Sequence, residues 1–390
     1  MMYKVLIIIN EYNKHIIRLV VNLKKENPNA VIDFLTTKES GELPKDLVCN
    51  INKVYKYPQY PSNAFLKKAK AHYHLYGVCS LRRVLKELIK NSCRYDVVNI
   101  HYPQWNYYYC IDQIKQLSDT ILLSPWGSDV YRIKSWEKSI LKKLYTSANN
   151  ISGVPNRFTR DFCKMFNVPS QKIVNLNIGS DMVDCIIKQR DVLPIEEAKE
   201  KLNLKDRYVI TCGYNNQPSQ RHKEIIKAIN YVRKELPEAL HLVFPVTYGG
   251  NKAYTEELKD LVKSKGLHAT FFEKYLTDDD LFVLIQATDV FIHVQTTDAD
   301  AGSVKEYILC RKKVLNGSWL KYDDLLKYPP KPYFEVESME TLAKDISNVV
   351  HSENISVSDA TDLLLQHFGW KHSIKGWNEY FLSKSMNNEP

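Results

Sequence analysis

A chain of 390 residues is longer than one small core organises, so two domains are expected. Apolar residues make up 44% and charged residues 25%, the balance of a soluble globular protein, and no apolar run approaches the roughly 20 residues of a membrane span. The formal net charge of +9 points to an anionic partner such as nucleotide phosphates or a phospholipid surface. No zinc-finger or glycine–aromatic RNA-binding signature supports nucleic acid as that partner.

The opening, MMYKVLIIINEYN, turns polar too soon for a signal peptide and reads as a buried strand over Tyr3 to Ile9. Ile16, Ile17, Val20, Val21 and Leu23 then recur at helical spacing, and Val31 to Leu35 is a second strand. Strand, helix, strand is the start of a doubly wound α/β domain. The turn Asn10-Glu11-Tyr12-Asn13 has no glycine, so the dinucleotide fingerprint is absent and an NAD-type reading loses its support.

Phe65 to Arg94 is strongly basic, with Lys67, Lys68, Lys70, Arg82, Arg83, Lys86, Lys90 and Arg94 against Glu87. Leu81, Val84, Leu85, Leu88 and Ile89 give it an apolar side. Such a helix lies on an anionic membrane or packs on the sheet with a solvated face. The charge density, with Tyr73, His74 and Tyr76 alongside, favours a surface that meets phosphate groups.

Asp96 to Ile100 is a strand ending at His101, followed by an aromatic and amide segment that contains Trp105. Rings and amides at a strand's carboxyl end suit sugar recognition. After the strand Ile121 to Ser124 comes Pro125-Trp126-Gly127-Ser128-Asp129, where Gly127 permits a tight turn and Ser128 or Asp129 can cap the next helix. Ile151 to Val154 and Ile173 to Leu176 read as strands, with a helix over Asn156 to Phe166 between them. Met182 to Pro194 has no clear period, which places the domain boundary there.

The strand Arg207 to Cys212 opens a second α/β unit. It runs into Gly213, and Arg221 and Lys223 then stand at a helix start, a pattern that can hold a diphosphate. Lys223 reads equally well as a surface lysine. Strands follow at Leu240 to Phe244 and Ala269 to Phe272, with a helix over Tyr254 to Lys265 between them. Thr277-Asp278-Asp279-Asp280 is a helix N-cap signature rather than a metal site.

The strand Val290 to Val294 ends in a polar loop with Asp298, Asp300, Gly302 and Ser303, and a helix begins with Glu306 near its start. That loop offers backbone N–H groups and a helix N-terminus to a phosphate, with a carboxylate one turn away for a ribose hydroxyl pair. An ordinary strand–loop–helix connection explains the same residues equally well. Further strands are expected around Val314 and over Tyr333 to Val336, then a helix from Met339 to Val350. The eight cysteines form no C-x-x-C pair and no Cys/His cluster, and read as reduced thiols of a cytosolic protein.

Taken in order, these elements resemble a GT-B glycosyltransferase of the retaining family-4-like group. The resemblance covers nearly the whole chain. Asp298 and Glu306 stand in an acidic-x7-acidic arrangement, Pro125 to Asp129 resembles the first-domain Trp-Gly-x-Asp segment, and Gly213 through Lys223 resembles the diphosphate site. The tail from Phe368 to Phe381 resembles the closing helix. Trp126 to Tyr131 and Gly213 to His222 are also similar to bacterial 4-acetamido-4,6-dideoxygalactose transferases. The chain departs from the pattern in lacking a first-domain glycine-rich loop, in having Trp126 where many members have His, and in having Asp298 for Glu.

The resemblance implies an α/β fold of GT-B type, with two Rossmann-like domains facing a cleft and a C-terminal helix crossing back to the first. Residues 1–183, completed by 369–390, would be the acceptor domain and 195–368 the donor domain. It implies a hexosyltransferase of surface-polysaccharide synthesis with a nucleoside diphosphate sugar as donor and no metal or other cofactor. The acceptor would be a glycan or lipid-linked glycan, and the protein would be cytoplasmic, peripheral on an anionic membrane surface. Glu306 would hold the ribose, Gly213, Arg221, Lys223, Ala301, Gly302 and Ser303 the diphosphate, and Asp298 the sugar. Asp129 and His101 would position or deprotonate the acceptor, with Trp126 and Trp105 on its side. A nucleotide-sugar epimerase and a non-catalytic scaffold of the same fold are the alternatives.

Overall fold

The computed structural model describes residues 2–61, 70–154, 156–297, 300–320 and 322–386, with only the backbone of Ser40, residues 70–74 and Ser128. The chain divides into two compact units, Met1–Gly179 with Trp370–Pro390, and Ser180–Gly369.

The first unit is built on strands β1 (Lys4–Ile8), β2 (Val31–Thr37), β3 (Lys53–Tyr57), β4 (Val97–His101), β5 (Ile121–Ser124), β6 (Asn150–Gly153) and β7 (Ile173–Asn175), in the order β3-β2-β1-β4-β5-β6-β7. All neighbours are parallel, and Val5 on β1 sits opposite Ile32 and Val97. Strand side chains alternate between faces, and both faces of β1 are buried. Val5 and Ile7 pack with Ile16, Leu19 and Trp377, while Leu6 and Ile8 pack with Leu81 and Leu85. This explains why the run shows no polar alternation.

The expected closing segment is a helix, Trp370–Met386, that packs on this unit. Trp377 and Phe381 are fully buried, Tyr3 and Phe381 lie ring to ring at 5.3 Å, and Trp377 Nε1 donates to the Asn177 carbonyl at 2.8 Å. Each such buried apolar side chain contributes roughly 1.5–3 kcal/mol.

The second unit carries β8 (Tyr208–Cys212), β9 (Leu240–Pro245), β10 (Ala269–Phe272), β11 (Val290–His293), β12 (Lys313–Gly317) and β13 (Phe334–Val336), all parallel, in the order β10-β9-β8-β11-β12-β13. Both sheets reverse their winding direction once, between β1 and β4 and between β8 and β11. Ligands of open α/β sheets bind outside the carboxyl ends of the strands at such a switch point.

One local expectation is corrected, one strand went unread, and one helix takes the second of its two readings. Residues 182–194, read as aperiodic, contain the helix Asp181–Gln189, capped by Ser180 Oγ on the Val183 N–H at 3.3 Å. Its buried side is only Met182, Val183 and Ile186, too few residues for a visible period. Strand β3 went unseen because it is an edge strand whose Lys53 and Val54 are exposed. The basic helix Lys70–Lys90 packs on the unit's core through Leu81, Leu85 and Leu88, while Leu75 and the charged side chains of Arg83, Lys86 and Lys90 are exposed. The expectation for Lys67 and Lys68 lies outside the described residues, as does the side chain of Lys70. Among the described residues no helix is long and apolar enough to cross a membrane.

Candidate functional site

In the second unit, two loops meet at the carboxyl ends of β8 and β11. Gly213 closes β8 with φ +66°, and a Cβ there would sit 2.8 Å from Gln220 Oε1, so the turn needs glycine. The turn ends at Arg221, whose φ of +60° is unusual for a side chain of its size. On the other loop Asp300 has φ +78°. Left-handed non-glycine residues cost of order 1–3 kcal/mol and persist only where the surroundings impose them.

Gln295, the second residue after β11, joins the two loops. Its Oε1 accepts from Gln220 Nε2 at 2.7 Å and from the Tyr214 hydroxyl at 3.3 Å, and its carbonyl accepts from Trp319 Nε1 at 2.7 Å. The Thr296 N–H donates to the Ser219 carbonyl at 3.0 Å. Arg221 lies over the same Trp319, its guanidinium carbon 5.1 Å from the ring centroid. A guanidinium stacked in this way keeps its in-plane N–H donors for an anion. Gln295 was not singled out from sequence. Its only signal is that it is the first polar residue after an apolar strand.

The helix Gly302–Leu309 begins after Ala301, and the Ser303 Oγ is buried without a hydrogen-bond partner. Glu306, one turn on, has Oε1 at 3.2 Å from the Ser180 hydroxyl that donates to it. A Cβ on Gly302 would lie 3.4 Å from that same oxygen, so glycine keeps the approach to Glu306 open. Lys305, the residue before it, is held elsewhere: its Nζ is 2.6 Å from Asp300 Oδ2, 3.4 Å from Asp324 Oδ2 and 3.6 Å above the Phe368 ring. The pair holds Asp300 in place. Asp298 lies outside the described residues. Lys223, expected beside Arg221 on a diphosphate, is instead ion-paired with Glu257 at 2.5 Å, so its charge is already matched. Thr277 caps the helix Asp278–Ala287 by accepting from the Asp280 N–H, which accounts for the acidic triplet.

In the first unit, His101 is fully buried at the end of β4. Trp126 Nε1 donates to its Nδ1 at 3.3 Å, and Trp377 stacks on the ring at 6.0 Å. Burial lowers its pKa to about 3, so the ring stays neutral. With Nδ1 already accepting, its proton sits on Nε2, and the ring is better placed to hold Trp126 than to take a proton. Trp126 stacks on Tyr102 at 4.9 Å with 8° between the planes.

Asp129 Oδ1 accepts from the N–H groups of Trp126 (2.8 Å) and Gly127 (2.9 Å), with Gly127 at φ +106°. It therefore caps its own turn. Its Oδ2 is buried and has no hydrogen-bond partner, and burial, outweighing those N–H groups, raises the carboxyl to about 6. A cavity of 340 Å³ opens at the switch point of this unit, with Asn10, Tyr12, Tyr102 and Gln104 in its wall. Trp105 is not part of that wall; it packs edge-on against Tyr109 and Trp136.

No family model matches the chain, and no curated protein does. Solved structures match it end to end. A glycosyltransferase from Rickettsia africae is 15% identical, with TM-score 0.70 and 99% of each chain covered. HepE from Anabaena, in complex with UDP and glucose, is 12% identical, with TM-score 0.68, 98% of this chain and 100% of that chain covered. Sucrose-phosphate synthase from Thermosynechococcus elongatus is 12% identical, with TM-score 0.72, 99% of this chain and 100% of that one covered. At this level of identity the likeness establishes the fold: an α/β chain of two Rossmann-like parallel-sheet units, as in the GT-B architecture.

Proposed function

We propose that the protein is a glycosyltransferase that moves a sugar from a nucleoside diphosphate sugar to a glycan or lipid-linked glycan. The observation that carries this reading is the second unit's pair of linked loops, which gather Arg221, the Gly302–Leu309 helix N-terminus and Glu306. Solved neighbours of the same fold hold UDP with glucose or UDP-glucose.

In this reading Glu306 accepts from the two ribose hydroxyls. The N–H groups at Ala301, Gly302 and Ser303 and the guanidinium of Arg221 bind the diphosphate. They also stabilise the charge that grows on it as the sugar–phosphate bond breaks. Asp298 is assigned to the sugar hydroxyls. Retention of anomeric configuration, as the resemblance implies, has the acceptor hydroxyl attack on the face the diphosphate leaves. Asp129 takes the acceptor's proton on Oδ2. His101 is assigned to fixing Trp126, through Nδ1, rather than to proton transfer. The basic face of the Lys70–Lys90 helix would serve contact with an anionic surface through its charge.

The test is a thermal-shift series with UDP-, GDP- and dTDP-sugars. One base is expected to stabilise the protein by about 2.7 kcal/mol at a hundred times its dissociation constant. No stabilisation by any of them refutes the reading. Incubating the labelled sugar nucleotide without acceptor then separates transferase from epimerase, since only the latter alters the sugar.

Asp129 makes the pH dependence specific. Its folded carboxyl, at about 6, keeps its proton to higher pH than the ordinary value of 3.8. The folded state therefore binds the extra proton between those values, and this contribution to stability is present at low pH and lost as pH rises through about 6. Asp129→Asn keeps the cap and should remove that loss, giving a protein more stable than wild type at pH 7.5 but not at about pH 3, below the ordinary carboxyl value of 3.8. Its transfer rate should fall by about 10²–10⁴, while the wild-type rate declines below about pH 6. An Asn variant with undiminished transfer rules out Asp129 as the proton acceptor.

A further inference from the structure

We infer that His222 is a positioning residue of the diphosphate site, holding Arg221 in the left-handed conformation that lays its guanidinium on Trp319; this deepens the transferase reading and rests on it. Arg221 occupies a backbone state that its own chemistry does not favour. It follows the short 3-10 turn Pro218–Gln220 and stands at the cap of the helix His222–Tyr231, with φ +60° and ψ +37°. Glycine, asparagine and aspartate visit that region readily, and a helix cap normally has an extended backbone and a short side chain that accepts from the first turn. Arginine offers neither, and its side chain makes no capping bond here. The conformation is therefore imposed by the surroundings.

The two neighbours of Arg221 impose it. Gln220 and His222 are 1% and 0% exposed, and both side chains turn in to the end of β8: a Cβ on Gly213 would meet Gln220 Oε1 at 2.8 Å and His222 Nε2 at 3.0 Å. Residues two apart on a right-handed helical turn do not face each other. A right-handed residue between them, continuing the turn into the helix, would send the two side chains apart. The left-handed one brings both to Gly213. Gln220 is held there by Gln295 at 2.7 Å. His222 is held from behind: its Nδ1 lies 3.2 Å from the Tyr254 hydroxyl, and its ring packs edge-on against Phe244 of β9 at 5.9 Å. Tyr254 belongs to the helix Lys252–Ser264, which is tied to the same turn where Asn216 Nδ2 donates to Thr255 Oγ1 at 2.8 Å.

The ring does not itself act as a counter-charge for an anion. Burial, outweighing a contact with the Cys212 backbone, lowers its pKa to about 4, so it is neutral at neutral pH. Lys223, the next residue, is paired with Glu257. The work of meeting a diphosphate then falls to Arg221, whose planar fork binds well only when it is aimed. Its aim is set by the backbone from which it leaves, and that backbone is fixed by the anchored ring next to it. A site held this way before its ligand arrives loses little freedom on binding, which leaves more of the contact energy as affinity.

The experiment measures the affinity of the full-length protein for inorganic pyrophosphate, for the UDP, GDP or dTDP whose sugar derivative stabilises it, and for the corresponding nucleoside. His222→Phe keeps a ring and removes its nitrogens. It should weaken pyrophosphate and the nucleoside diphosphate about tenfold, the equilibrium cost of one left-handed side chain, and leave the nucleoside unchanged. In an Arg221→Gln background the same change should have no further effect, since residues that act through one another do not add. Tyr254→Phe removes one hydroxyl and keeps the packing, and should show the same pattern at a few-fold. An undiminished diphosphate affinity, an equal loss for the nucleoside, or a loss that persists beside Arg221→Gln would each overturn the inference. Should His222→Phe fail to fold, Tyr254→Phe decides by the same three criteria. Pyrophosphate binding that depends on His222 and Arg221, without a response to any sugar nucleotide, would leave the positioning role standing and remove the transferase reading instead. A wild-type protein that binds neither pyrophosphate nor a nucleoside diphosphate would overturn both.

Discussion

Glu306→Ala should abolish the stabilisation of the protein by its sugar nucleotide while leaving the unliganded melting curve nearly in place. The expected size follows from the geometry. Glu306 sits one turn into its helix, with Oε1 taking the Ser180 hydroxyl at 3.2 Å and open space beside it where Gly302 has no side chain. Two hydrogen bonds from ribose to a charged carboxylate contribute about 1.5–3 kcal/mol each. Losing both, even at the lower figure, weakens binding more than a hundredfold. A ligand present at a hundred times its wild-type dissociation constant would then stabilise by no more than about 0.4 kcal/mol instead of about 2.7. Ser180→Ala, which removes only the neutral donor, should cost far less. A Glu306→Ala protein with the full thermal shift would show that the ribose lies elsewhere.

Lys305→Met is expected to have the largest effect on stability. The lysine side chain is only 4% exposed and faces two carboxylates, those of Asp300 and Asp324, that are themselves 15% and 7% exposed. Methionine keeps most of the stem that packs on Phe368 and deletes the charge. Breaking a buried ion pair on one side costs about 3–5 kcal/mol, because the remaining charge stays buried without a partner. The loss should appear as a lower urea midpoint and be partly restored in Lys305→Met/Asp324→Asn, since residues in one charge network do not add independently. Nucleotide affinity should fall as well, because Asp300 in its left-handed conformation would no longer be anchored. A midpoint equal to wild type would mean that the trio contributes nothing net.

Lys305 shows why part of the site was illegible in one dimension. In the run GSVKEYIL a lysine looks like a solvated helix position, the usual location for that residue. Its burial follows from Asp324 and Phe368, both far along the chain. Lys223 is ambiguous in the opposite direction. Next to Arg221 it looks like half of a diphosphate grip, but Glu257, 34 residues on, holds its ammonium. Trp105 was the conspicuous aromatic of its segment, yet Tyr102 and Gln104 line the cavity. Nothing local ranks those three side chains, because the end of β4 decides which of them faces the switch point.

The sequence by itself determined the alternation of apolar strands and amphipathic helices, and through it two parallel sheets. That follows because runs such as Val5 to Ile8 are apolar at every position only if both faces are covered. It also determined where glycine was required, at Gly127 and Gly213, since a backbone with positive φ tolerates little else there. The tertiary structure alone decided which polar side chains work together: Gln295 with Gln220 and Trp319, Asn10 with Tyr57 and Tyr107, Lys305 with Asp300 and Asp324. Hydrophobic period is a property of neighbours in the chain and can be read from it. A buried hydrogen bond or ion pair is a property of neighbours in space, set only once the sheets have brought distant strand ends together.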